Sequence, residues 1–283
     1  MVGRIKQVHA RRLLRAMRGE TRSYLIEADD GLAYVVKHAN NPQGGRRVLV
    51  NEFIGSILLA QLGVATPDRA FVDIDSDFVS NIGPLPTGLH FGSGYPGTPD
   101  NVAVYDFLPD SLLPKVHNRE HFLGALVFDK WMSNIDARQA IFFRQPAIPT
   151  VPEQAGSSFV AQMIDNGSVF AGSDWAFRQS AIQGMYGRRA VYGPDPSMGV
   201  FEPWLHALMK ISSDVLDEAV AEIPPDWVRG DERALAGLMV RLYERRSRVP
   251  AMVEQAIQLL RAECLRLPVH RELRPRSELL STA

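Results

Sequence analysis

The order of local signals predicts an α+β fold in two unequal lobes. A small β-rich N-terminal lobe with one helix spans residues 1–95, and a larger, mainly helical C-terminal lobe spans 96–283. Three observations carry this expectation. Strand signals and one apolar helical run fill the first 75 residues. A Gly/Pro-rich stretch from Gly83 to Pro99 follows and reads as a connector. Helical periodicity then dominates the second half.

The elements follow in order. Tyr24–Glu27 and Ala33–Lys37 are apolar runs around Asp29-Asp30-Gly31, a hairpin signal. His38 to Arg46 is rich in Asn, Gly and Pro and predicts a loop. Val48 to Leu62 carries apolar residues at helical spacing and stops at Gly63. Ala70 to Ile74 predicts another strand. Asn118, as an N-cap, opens a helix to Met132. Two short strands, Ala140–Arg144 and Phe159–Ile164, flank a proline-rich loop. Helices are expected at Pro203–Ile211, Ser213–Ile223, Glu232–Arg245 and Pro250–Leu267.

Composition narrows the function classes. The chain has 283 residues, 46% hydrophobic and 22% charged, enough for a real core. A net charge of −1 offers no field for nucleic acid, and the basic N-terminal arm (Arg4 to Arg18) reads as a solvated face. One cysteine, Cys264, allows no intrachain disulfide and fits a reducing cytoplasm. No signal peptide or membrane span is expected, so a cytoplasmic location is.

Three motifs fail on context. Gly92 to Gly97 spells G-x-G-x-x-G, but Pro96 and Pro99 forbid the helix a dinucleotide site requires. Asp73, Asp75 and Asp77 begin like a calcium loop, yet Phe78 and Pro84 replace its glycine and glutamate. His117 to His121 spells H-x-x-E-H, but an N-cap at Asn118 puts His117 outside the helix.

Four separated polar residues remain, in an order that suits phosphoryl transfer, which needs a cation on phosphate, a metal ligand and a proton acceptor. Lys37 ends a strand, with Val35 on the same face to meet an adenine ring. Glu52, one helix later, can pair with Lys37. Asp136 lies between a helix and a strand, where a kinase holds its proton acceptor, with Asn134, Arg138 and Gln139 around it. Asp165 follows an apolar strand and precedes Asn166-Gly167, a place from which a carboxylate reaches a metal.

These residues resemble the HipA-like kinase family. The likeness runs from about Gly19 to Arg248 and rests on Tyr34 to Lys37, Asn40 to Gln43, Val48 to Glu52 and Gly88 to Ser93. It continues through Phe128 to Trp131, Asn134 to Gln139, Ile164 to Gly167 and Trp175. The branch resembled is the compact one without the N-terminal module that contacts an antitoxin, so no antitoxin partner is implied. The resemblance implies a bilobal protein-kinase-like fold, ATP, Mg2+ and a Ser/Thr hydroxyl on a protein as acceptor. It makes Asp136 the base, Lys37 the phosphate-binding lysine with Glu52 its partner, and Asp165 the metal ligand. Arg138 joins Asp136 and Lys37 in the candidate catalytic set. His90, Phe91 and Ser93 become the segment meeting adenine.

Two departures stand out. The asparagine expected five residues after the base is Ile141, so Gln139 or Asn134 must supply the second metal ligand. The nucleotide-covering turn holds one glycine, Gly19, leaving Thr21 and Ser23 to clamp phosphate. The departures keep nucleotide binding without turnover open, and because fold does not fix substrate a small-molecule kinase on the same fold is the other alternative.

Overall fold

The computed structural model describes residues 5–17, 22–40, 45–82, 85–98, 100–144 and 159–262. Five strands close into a barrel in the order β1-β2-β3-β5-β4, with β1 Lys6–Ala16, β2 Tyr24–Ala28, β3 Ala33–Lys37, β4 Arg69–Ile74 and β5 Gly88–Gly94. Its first half lets β1 run parallel to β4, and its second half antiparallel to β2. Inside lie Val8, Ala10, Ile26, Tyr34, Val36, Val72 and Ile74.

Two expectations about this region are corrected. The basic arm is not a solvated face alone: it is strand β1, whose arginines face water while Val8 and Ala10 alternate inward. The Gly/Pro-rich stretch is not a connector through its length, because Gly88–Gly94 is a central strand between β3 and β4. Its glycine is a packing requirement. A Cβ on Gly92 would lie 2.7 Å from Val72 Cγ2.

Helix α1, Gly45–Gln61, crosses the barrel and is buried continuously from Val48 to Leu59. Such a helix is walled on all sides. Phe53 stacks on Phe71 with centroids 5.3 Å apart and meets Phe91 and Trp227 edge-on. A short helix α2, Ser76–Ile82, follows β4, with Asp75 Oδ1 accepting from Phe78 N at 2.7 Å. The aspartate-rich stretch thus starts a helix.

Beyond the barrel, β6 Val104–Tyr105, β7 Gln139–Arg144 and β8 Phe159–Ile164 form a second sheet in the order β6-β7-β8. Helix α3, His121–Met132, lies in the main core. Asn118 is not its N-cap: its amide exchanges two hydrogen bonds with the Ala161 backbone, and the helix starts after Glu120. His121 Nδ1 accepts from Ala65 N at 2.7 Å. Among the described residues no cluster of three metal-binding side chains occurs. Helices α4 Glu202–Lys210, α5 Ser213–Ala221, α6 Pro225–Val228, α7 Glu232–Arg245 and α8 Val249–Arg261 complete the described chain. None of the described helices is long and apolar enough to cross a membrane. Cys264 lies outside the described residues.

Candidate functional site

Three elements meet at Lys37. It ends β3, where the pleat that sends Tyr34 and Val36 into the barrel sends Val35 and Lys37 to the other face. Its ammonium pairs with Glu52 Oε1 of α1 and lies 3.0 Å from Asp165 Oδ1, just past β8. Gln139, the first residue of β7, donates its amide Nε2 to the other Asp165 oxygen at 2.5 Å. Lys37 and Asp165, 128 positions apart in sequence, thereby form an ion pair.

Burial opposes charge on each group, and the partners decide the outcome. Burial lowers the Lys37 ammonium, but Asp165 and Glu52 outweigh it and hold it above the ordinary lysine range. Burial pushes Asp165 up, yet Lys37 and the surrounding donors hold it well below the usual carboxylate range. Glu52 goes the other way: burial, with the Asp165 charge beside it, raises it to about 7 despite Lys37.

Asp136 sits in the loop between α3 and β7 with its side chain exposed. Its Oδ1 accepts from Ala137 N at 2.7 Å, and its carbonyl accepts from Gly184 N at 3.0 Å. The loop begins at Ser133, a left-handed C-cap with φ 54°.

The amide of Asn134, a candidate metal ligand, is spent inside that loop. Its Nδ2 donates to Asp129 Oδ1 at 2.9 Å and its Oδ1 accepts from Asp136 N at 3.1 Å. Arg138, expected beside the reacting groups, is 2% exposed and faces the interior. It pairs with both Asp129 oxygens through Nε and Nη2, and its Nη1 donates to Ile164 O at 2.9 Å and Asn166 Oδ1 at 3.0 Å. One buried cation thus ties α3 to the Asp165 loop.

The expected adenine-facing segment divides by register. Val35 pairs with Ser93, so both lie on the outward face, half-buried. His90 falls on the opposite, barrel-facing side, where its Nε2 bonds Pro86 O at 2.8 Å. Phe91 shares the outward face but is covered by Phe53 and 1% exposed. Only Ser93 of the three stays accessible. Ser23 is buried, and its carbonyl accepts from Met17 N at 2.8 Å to close the turn between β1 and β2. Thr21 lies outside the described residues.

Sequence reasoning missed Asp129, Asn51 and Asn166. Each lies in a stretch quoted for the resemblance, but a buried polar residue carries no local signal of its partner. Asn51 is fully buried and its amide reaches the loop beyond Asp165. Asn166 N donates to Glu52 Oε2 at 2.9 Å, a second tie between α1 and that loop.

Residues 9–145 match the model of a family described as HipA-like kinase. This match supports placing the chain with the HipA-like kinases. The match takes in Lys37, Glu52, Asp136 and Gln139 and ends before Asp165. No curated protein sequence matches the chain. Among solved structures, the Helicobacter pylori proinflammatory kinase CtkA is similar at a TM-score of 0.52 and 13% identity, covering 90% of this chain and 99% of that one. The Golgi casein kinase with Mn/ADP bound gives 0.44 and 12%, covering 90% and 73%. Hydra Fam20 with sugar gives 0.47 and 11%, covering 92% and 87%. The CtkA likeness shows a protein-kinase-like α+β fold. The match to HipA-like kinases supports a phosphotransferase.

Proposed function

We propose that this HipA-like chain transfers the terminal phosphoryl group of ATP, with Mg2+, to a Ser or Thr hydroxyl of a protein. The observation that carries the proposal is the Lys37 ammonium held between Glu52 and Asp165. A phosphotransferase needs a cation set in place on the phosphates, and Glu52 holds this one at the end of its strand. Adenine would lie against Val35 and Ser93. Neither nucleic acid nor an antitoxin partner is part of the proposal.

Asp165 and Gln139 would hold the divalent cation. Mg2+ takes oxygen donors and is commonly bound by one or two carboxylates plus substrate phosphates, so a full protein cage is not required. Asp165 supplies a persistent charge, and turning the Gln139 amide end for end presents its oxygen. Bound there, the ion would neutralise charge on the phosphates.

Asp136 is the proton acceptor. Its Oδ1 is engaged by Ala137 N, which leaves Oδ2 for the acceptor hydroxyl. The hydroxyl oxygen forms a bond to the terminal phosphorus, the bond to the bridging oxygen breaks, and that electron pair leaves with ADP. The hydroxyl proton passes to Asp136. Arg138 and Asn134 touch neither reactant in this scheme; they position the Asp136 and Asp165 loops.

The test is transfer of label from γ-labelled ATP, with and without Mg2+, to the protein itself or to lysate proteins. Mg-dependent labelling lost in Asp136→Asn supports the proposal. Equal blanks for both proteins refute it. A second reading, nucleotide binding without turnover, is favoured by Ile141 lying within strand β7, opposite Gln162, and by the spent amide of Asn134. Thermal stabilisation by ATP without any transfer would select it.

A further inference from the structure

The chain after Asp165 follows a path that ordinary secondary structure cannot hold. Asp165 has φ 63°, Phe170 and Ala171 each 57°, Gly172 69° and Trp175 49°. Left-handed backbone at non-glycine residues is unfavourable by roughly 1–2 kcal/mol each. A segment bent this way also leaves carbonyls without regular partners, and buried carbonyls need them.

One side chain supplies those partners. The Asn51 amide nitrogen lies 2.9 Å from Gly167 O, 3.0 Å from Val169 O and 3.0 Å from Gly172 O. Its oxygen accepts from the Trp175 indole Nε1 at 2.9 Å. Arg47, one helical turn earlier, donates to Ser173 O at 3.1 Å and lies 4.8 Å from the Trp175 ring centroid. The α1 surface is shaped to receive the loop. A Cβ on Gly55 would lie 2.5 Å from Asn166 Cβ, and one on Gly167 would lie 3.0 Å from Glu52 Oε1.

We propose that Asn51 is the positioning residue of the metal-holding loop. It fixes the left-handed path from Asp165 to Trp175, and so sets the affinity of Asp165 for a divalent cation without touching the ion. This rests on the proposed reading of Asp165 as a metal ligand. The pairing is selective in chemistry. Only an amide both donates to the carbonyls and accepts from the indole, whereas an aspartate would turn negative charge on the carbonyls.

The experiment compares wild type, Asn51→Asp and Trp175→Phe, with folding checked by circular dichroism. Hydrogen exchange is read on metal-free protein, and Mn2+ uptake with a non-hydrolysable ATP analogue is read by electron paramagnetic resonance. Analogue binding in EDTA serves as control. Both variants are expected to exchange the amides of Gly167 to Trp175 faster and to weaken Mn2+ by about 10–100-fold, the range for residues that support a metal ligand. Metal-free analogue affinity stays within about twofold. Folded variants with wild-type exchange and Mn2+ affinity overturn the assignment, as does a parallel loss of Mn2+ and metal-free analogue binding. If Asn51→Asp does not fold, Trp175→Phe decides, since it removes the indole N–H that donates to Asn51, keeps an aromatic ring and leaves Asn51 itself in place. Wild type that takes up no Mn2+ overturns the metal reading of Asp165 and this assignment with it; wild type that binds while the variants bind as tightly overturns this assignment alone.

Discussion

Replacing Arg138 by Met should destabilise the protein by about 3–5 kcal/mol, the usual consequence of removing one partner from a buried ion pair. The structure sets the magnitude. Asp129 and Arg138 have side-chain exposures of 0% and 1%, so water cannot take over for the lost guanidinium. Asp129 would keep only Asn134 Nδ2 and neighbouring lysine charge, while Ile164 O and Asn166 Oδ1 lose a donor. Each buried group left unpaired adds roughly 1–3 kcal/mol. Thermal unfolding should fall by about 6–20 °C at roughly 2–4 °C per kcal/mol. Asp129→Leu combined with Arg138→Met should recover part of the loss, because two apolar groups leave no unpaired charge. A loss below about 1 kcal/mol for Arg138→Met, or strict additivity in the double variant, would refute the reasoning.

Three further outcomes are expected. Gly55→Ala should destabilise by about 1–3 kcal/mol in chemical denaturation, because its Cβ would collide with Asn166 at 2.5 Å and α1 or the loop must yield. Ser93→Phe should weaken ATP binding by an order of magnitude or more in calorimetry, while His90→Gln leaves it within about twofold, since Ser93 pairs with Val35 and His90 faces the barrel. Lys130 carries a pH signature: burial pulls its ammonium down to about 8, although Asp129 opposes this. Between about pH 8 and 10.5 the unfolded chain keeps the proton that the folded chain has lost, so this group adds stability as pH rises. Denaturation midpoints of wild type and Lys130→Met across that window should therefore differ in slope, wild type rising more; parallel slopes would sink the assignment.

The hairpin β2–β3, helix α1, strands β7 and β8 and the later helices are legible in the chain because each follows from local periodicity and a turn residue. Strand β1 hides behind arginines that point to solvent, and its apolar residues Val8, Ala10, Leu13 and Leu14 break period-two alternation where the register shifts. Strand β5 hides behind glycine, which weakens a strand by propensity but is demanded at Gly92 by Val72 across the barrel. Lys37, Glu52, Asp136 and Asp165 stand out by sequence because each ends or flanks a regular element. The direction a side chain takes from there is a different matter.

By itself, the sequence determined the α+β class, the order of its elements and the residue types from which a phosphotransferase site can be built. Only the tertiary structure decided that Arg138 and Asn134 turn inward, that His90 faces the barrel, and that Asn51 governs the loop after Asp165. The reason is physical. Periodicity along a chain reports which face of one element is apolar, whereas the partner of a buried polar group lies on another element. Asn51 and Gly172, 121 residues apart in sequence and 3.0 Å apart through a hydrogen bond, meet only when the barrel, α1 and the second sheet have closed together.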